Sequence, residues 1–164
     1  MLLSHKEIVI RLLVALIVGT VLGIERTKAG KPAGVRTHAL VCITSTMISI
    51  VSAYGFGEFV NDKGIISMDP ARLIVGIITG IGFLGAGIIW KDTSHGDVRG
   101  LTTAANIWAS AALGIAIGLG HYFLVFCTVL AIFIALRLGV VLVNIGLIKY
   151  DTEDRRRVFN SSRD

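Results

Sequence analysis

The sequence predicts an all-α integral membrane protein: a compact bundle of about five transmembrane helices, N-terminus outside and C-terminus cytoplasmic. Three observations carry this. Of the 164 residues, 54% are hydrophobic and only 16% charged, where a soluble domain carries about 25% charged residues. The apolar residues come in long blocks, not in alternation with polar ones. Lysine and arginine gather between blocks in a pattern that alternates along the chain.

A spanning helix needs roughly 20 mostly apolar residues. Five stretches approach this: Ile8 to Ile24, His38 to Tyr54, Leu73 to Trp90, Leu101 to Leu119, and Tyr122 to Ile148. The last is long and contains Arg137. It can tilt, extend beyond the membrane, or break after Arg137 into an interfacial piece. The first run follows Lys6 and Arg11 as a signal peptide would, but it ends in Gly23-Ile24-Glu25-Arg26 without a small-residue cleavage site, so it reads as a retained span.

Orientation follows the basic residues. The first loop holds Arg26, Lys28, Lys31 and Arg36; the third holds Lys91 and Arg99; the tail holds Lys149, Arg155, Arg156, Arg157 and Arg163. The second loop carries Glu58, Asp62 and Asp69 against Lys63. Five spans satisfy this with the odd loops and the tail inside. The domain division is then 1–150, a transmembrane helical domain, and 151–164, a short charged cytoplasmic tail. The net charge of +5 sits where anionic lipid would meet it, so a nucleic-acid partner is excluded and membrane lipid expected.

Turn chemistry punctuates the spans. Gly30-Lys31-Pro32-Ala33-Gly34 breaks the chain between the first two. Asp69-Pro70 opens the third, with Asp69 and Arg72 at an external helix cap.

The third span is rich in glycine: Gly76, Gly80, Gly82, Gly85 and Gly87. Gly80 to Gly85 matches the dinucleotide-binding spacing GxGxxG, but that fingerprint needs a preceding strand. In a membrane span, glycines let another backbone approach. Gly19 and Gly23, Gly76 and Gly80, and Gly114 and Gly118 each form GxxxG. These faces predict tight helix packing and favour a homodimer; a glycine-lined passage is the alternative.

The fourth span places Thr103, Asn106, Ser110 and Gly114 on one face, beside Thr102. A polar stripe in hydrocarbon must face protein or water. Interhelical hydrogen bonding and a polar cavity lining both account for it. The second span has a similar stripe, Cys42, Ser45, Ser49 and Ser52, with His38 at its start, expected to be solvated or capped near the interface. Cys42 and Cys127 read as small packing residues and not as a disulfide or metal site. At the span ends, Glu25, Arg26, Arg36 and Thr37 flank the first loop, and Asp92, Asp97 and Arg99 the third. Antiparallel packing would gather these charges with the fourth-span stripe into one functional cluster at the cytoplasmic mouth. No catalytic constellation is present, and no Asp or Glu falls within the spans as bounded above, so an enzyme, a metal and a cofactor are not expected.

Several segments together resemble one family. Gly23-Ile24-Glu25-Arg26, Gly34-Val35-Arg36-Thr37-His38, Asp69-Pro70-Ala71-Arg72, Gly80 through Gly87, and Val98-Arg99-Gly100-Leu101-Thr102-Thr103-Ala104-Ala105 occur in the order of the MgtC/SapB family of bacterial inner-membrane proteins. The resemblance spans roughly Gly19 to Gly118. It implies about five spans, the bacterial cytoplasmic membrane, and a link to magnesium limitation, acid stress and virulence. It also implies regulation of other membrane proteins, with ion transport by an oligomer as the alternative. Longer members carry a cytoplasmic C-terminal domain; here 14 residues follow Tyr150.

Overall fold

A computed structural model describes residues 3–56, 69, 71–92 and 97–146, without the side chains of 139, 140, 143 and 144. Glu58, Asp62, Lys63, Pro70, Lys149 and the 151–164 tail lie outside the described residues.

Among the described residues there are five helices: α1 (His5–Lys28), α2 (Val35–Tyr54), α3 (Ala71–Ile88), α4 (Leu101–Gly118) and α5 (Tyr122–Asn144). The first four are long and apolar enough to cross a membrane. Helix α5 runs unbroken through Arg137, which settles the question left open there. At 1.5 Å per residue, its 23 residues measure about 34 Å.

Helix α1 is longer at both ends than its apolar run. It takes in Glu7 and Glu25, which corrects the reading that no acidic residue lies within a span. A helix continues as long as its backbone bonds are made, whatever side chains it carries, so charged turns extend it beyond the apolar core. Arg26 and Lys28 in its last turn suit the negative end of the helix dipole.

The first loop is closed by Thr27, whose hydroxyl accepts from the Val35 N–H at 3.2 Å, and by Gly30 in the left-handed region at φ 63°. Ala71 N–H donates to the Asp69 carboxylate at 2.9 Å at the start of α3. The third loop holds a two-residue antiparallel ladder that the apolar pattern did not announce: β1 (Trp90–Lys91) pairs with β2 (Val98–Arg99).

Helix α2 is the centre of the bundle, between α1 and α4. Glycine makes both contacts close. A Cβ added at Gly19 would lie 2.7 Å from the Ala39 Cα and the His38 carbonyl, and one at Gly23 would lie 2.8 Å from the Val35 nitrogen. On the other side, one at Gly114 would strike the Cys42 carbonyl, and one at Gly118 would lie 2.7 Å from the Thr46 carbonyl. Backbone therefore packs on backbone at both seams. Ala15, Leu22, Cys42, Leu113 and Ile117 fill the layer between them.

Helix α3 differs. Its buried residues, Ile77, Ile81 and Gly85, recur every four positions on one face against α2 and α4. Nothing among the described residues lies within 4 Å of a Cβ at Gly76, Gly80, Gly82 or Gly87, and Gly85 makes only an ordinary contact, 3.6 Å, with the Ala104 Cβ.

Candidate functional site

The helix ends carry two polar clusters, at opposite ends of the bundle. The first is built on Arg11, one turn past Glu7 on α1. At that spacing the side chains are neighbours, and the Arg11 Nε donates to Glu7 at 3.0 Å. The guanidinium then reaches across the bundle. It donates to the Gly118 carbonyl at the end of α4, and to the Tyr54 hydroxyl at 3.4 Å while lying over that ring at 5.3 Å. Tyr122, the first residue of α5, donates to the same Glu7 carboxylate at 2.9 Å. Gly120, at φ 83°, leaves room: a Cβ there would stand 3.1 Å from the guanidinium. One buried arginine thus ties together the ends of α1, α2, α4 and α5. The Gly118 carbonyl is one of the orphan acceptors every helix leaves in its last turn.

The sequence reading missed this cluster. Glu7 stands just before the first apolar run and Arg11 inside it, and neither was assigned a role. The signal was present in their i, i+4 spacing and in an arginine within a span, where an intramembrane charge points to a partner.

The second cluster is at the other end, around Arg26. Its guanidinium is 4% exposed and lies 3.5 Å from Glu25. The Arg26 Nε and one Glu25 oxygen are buried without a hydrogen-bond partner among the described residues. His38, in the first turn of α2, is fully buried, which corrects the expectation that it would be solvated. The glycine seam of α1 brings the two backbones together over it and excludes water. Its Nδ1 lies 2.8 Å from the Gly34 carbonyl, its Nε2 has no partner, and the charges of Arg26 and Glu25 act on its ring.

The α2 and α4 stripes face each other. Thr46 donates to the Gly114 carbonyl at 2.8 Å and Ser49 to the Ile115 carbonyl at 3.1 Å. Ser110 donates to the Asn106 carbonyl of its own helix at 3.0 Å. Thr103, Asn106 and Ser110 are buried, and the Asn106 side-chain oxygen is unpartnered. Gly114 lies against Ser45 and Gly118 against Ser49, so α2 and α4 run parallel and in step. Two turns back along both, His38 stands level with Ile107 and Asn106.

Two clefts open beside Arg26. One, of about 750 Å³, lies between α1 and α5 and includes Glu25, Lys28, Lys31 and Arg137. The other, about 480 Å³, is bordered by Val98, Gly100, Thr102 and Thr103 at the start of α4. Arg26, Lys31 and Leu136 line both.

The expected mouth cluster is therefore assembled in part. Glu25, Arg26, Thr102 and Thr103 come together, with Asn106 and Ser110 deeper on the same helix. Arg36 is exposed and lines neither cleft. Thr37 faces a separate apolar groove with Gly87 and Ile107. Asp92 and Arg99 pair with each other at 3.6 Å across the β1–β2 ladder, with Arg99 over the Trp90 ring and Asp92 N–H bonded to the Asp97 carbonyl. Arg72 is exposed, its N–H donating to the Asp69 carbonyl at 3.2 Å. No group of three or more His, Cys, Asp or Glu suited to a metal occurs among the described residues.

The MgtC family model matches residues 12–145. The chain is 43% identical over 116 residues to YhiD of Escherichia coli K12, described provisionally as a magnesium transporter, which covers 71% of this chain and 53% of that protein. It is 41% identical to the protein SapB of Bacillus subtilis, over 79% of this chain and 55% of that one. It is 39% identical to the protein MgtC of Salmonella typhimurium, over 70% of this chain and 44% of that one. The chain spans about half the length of the curated relatives it matches. No solved structure matches it. With the match running from the first helix to the last and its order of motifs intact, the chain belongs to the MgtC family of membrane proteins.

Proposed function

We propose that the chain is a non-enzymatic regulator in the bacterial cytoplasmic membrane, N-terminus outside, acting by helix–helix contact on other membrane proteins. The stress of magnesium limitation or acid is its setting. A homodimer is the favoured resting form. The observation that carries this reading is the contrast between filled and open faces. The centre of the bundle, where a route would run, is taken up by backbone contacts at Gly19, Gly23, Gly114 and Gly118, and the α2 hydroxyls are engaged by α4 carbonyls. Helix α3 meanwhile leaves Gly76, Gly80 and Gly87 on one flank with nothing within 4 Å among the described residues. Open glycine on a spanning helix suits a second helix.

Cross-linking from a cysteine placed at Gly80, in intact membranes, tests it. The expected product is a specific adduct to a second copy or to another membrane protein. A cysteine at Gly80 that cross-links no more than one at lipid-facing Phe123, which is 82% exposed, would overturn the reading.

A second reading is a small ion transporter formed by an oligomer. The unpartnered His38 Nε2 and Asn106 oxygen favour it, since a buried polar atom without a partner costs about 1–3 kcal/mol and calls for an occupant. The label carried by the Escherichia coli relative points the same way. Purified protein in liposomes should then pass protons, magnesium or a monovalent cation, with flux abolished by Asn106→Leu. Absence of flux for all three leaves the regulator.

A further inference from the structure

We infer that the Arg26 end of the bundle holds a phosphate-recognising site for an anionic phospholipid, headgroup at Arg26, Lys31 and the first turn of α4, chain along the α1–α5 groove.

Four observations converge there. The first is Arg26 itself. It is more than nine-tenths buried, it lines both clefts, and its Nε has no hydrogen-bond partner among the described residues. A guanidinium offers five donors in a fixed fork that matches phosphate oxygens, and among the described residues the ion pair to Glu25 leaves the Nε donor unused.

The second is the start of α4. Its capping position is Gly100, which has no side chain to cap the helix and makes no capping bond. The first intrahelical bond runs from Ala104 N–H to the Gly100 carbonyl, so the N–H groups of Leu101, Thr102 and Thr103 have no acceptor within the helix. Three donors without an acceptor in their own helix and the positive end of an 18-residue helix dipole suit an anion. Thr102 and Thr103 line the same cleft as Arg26.

The third is charge. The larger cleft is lined by Arg26, Lys28, Lys31 and Arg137 against Glu25 alone. Four cations against one anion complement a phosphodiester and not a zwitterionic headgroup.

The fourth is the shape of the apolar part. Below the charged residues the same cleft continues along Val21, Ile24, Phe133 and Leu136. That groove lies on the surface between α1 and α5, where an acyl chain would lie. A soluble phosphate has no use for it. The continuity of cation and groove is what commits the site to a lipid over a free anion. The site is independent of whether the chain regulates or transports.

The test uses the full chain, purified and delipidated in mild detergent. Phosphatidylglycerol, phosphatidylcholine with the same acyl chains, and inorganic phosphate are added separately. Bound lipid per protomer is read by native mass spectrometry, and thermal protection by the melting temperature. The expected result is preferential retention of phosphatidylglycerol over phosphatidylcholine by about tenfold, the scale of one charge-assisted contact. Inorganic phosphate should protect weakly at millimolar concentration. Arg26→Gln should abolish the preference. Lys31→Gln, at an exposed position whose loss does not threaten folding, should reduce it several-fold even if the Arg26 variant proves unstable. Equal retention of the two lipids, or an unchanged preference in Lys31→Gln, would overturn the site. Protection by inorganic phosphate as strong as by phosphatidylglycerol would overturn the lipid as its occupant.

Discussion

The two ends of the bundle each bury an arginine of α1, fifteen residues apart, and treat it in opposite ways. Arg11 is surrounded by acceptors: Glu7, the Tyr54 hydroxyl and the Gly118 carbonyl. Arg26 has one carboxylate at 3.5 Å, an unpartnered Nε and two clefts. Burial alone therefore does not assign a role. A charge whose acceptors all come from the protein fastens helices together. One whose Nε meets no acceptor among the described residues has a donor left for the ligand inferred above. By that criterion Arg11 is a fastening and Arg26 a recognition group.

The largest effect that could break this contrast is at Arg11. Arg11→Ala strips the Glu7 carboxylate, the Gly118 carbonyl and the Tyr54 hydroxyl of a shared donor. It should cost about 3 kcal/mol of stability, the scale of lost hydrogen bonds to a buried charge. Arg26→Gln, which keeps a polar group and gives up one ion pair of 3.5 Å, should cost less, about 1–2 kcal/mol. Denaturation in mixed micelles, followed by circular dichroism, measures both. Equal losses would mean that the two ends are built alike.

A second contrast lies between glycines. Gly114→Val would drive a side chain into the Cys42 carbonyl and the Ser45 Cβ. Neither can retreat, because both belong to the central helix. Overpacking of that kind costs about 2 kcal/mol or more, and the same denaturation experiment should show it as an early transition. A smaller loss would mean that α4 can slide away from α2, and that the seam is looser than its geometry.

How much of this was legible beforehand divides along physical lines. The five helices and the four long apolar ones among them were, because a run of apolar residues is a direct consequence of hydrocarbon on all sides. Their ends were not, because charged turns such as Arg26–Thr27–Lys28 extend a helix after the apolar run stops. Part of the polar cluster was legible from the i, i+3 and i+4 spacing of Thr103, Asn106 and Ser110, which fixes a face whatever that face meets. Arg11 was lost because a span is read from its apolar residues and a single charge in it carries no partner. Two of its acceptors lie 43 and 107 residues away, beyond any local pattern. The burial of His38 was missed for a related reason. It is set by Gly19 and Gly23 of the neighbouring helix, and not by its own surroundings in sequence.

Tyr122→Phe is a finer probe of the Arg11 end. It removes one donor from Glu7 and leaves the Arg11 bond in place. The expected loss is about 1 kcal/mol, that of a single hydrogen bond, measured as a modest fall in melting temperature. A loss as large as that of Arg11→Ala would mean that Tyr122, through α5, is the true fastening.

The smallest effect on the protomer, and the sharpest test of the open flank, is at Gly80. Gly76 and Gly80 have the same spacing as Gly114 and Gly118, so the chain does not distinguish the pairs; only their neighbours do. A Cβ at Gly80 meets nothing within 4 Å among the described residues. Gly80→Val should therefore leave protomer stability within about 0.5 kcal/mol of the parent, as for an unpacked surface position. If α3 serves association, the same variant should lower the dimer fraction in gentle detergent or in nanodiscs, as a branched side chain does wherever helices approach through glycine. Stability and association should thus separate at Gly80 and fall together at Gly114. A Gly80→Val protein that keeps both would leave the α3 flank as a lipid-facing surface, and would remove the observation on which the regulatory reading rests.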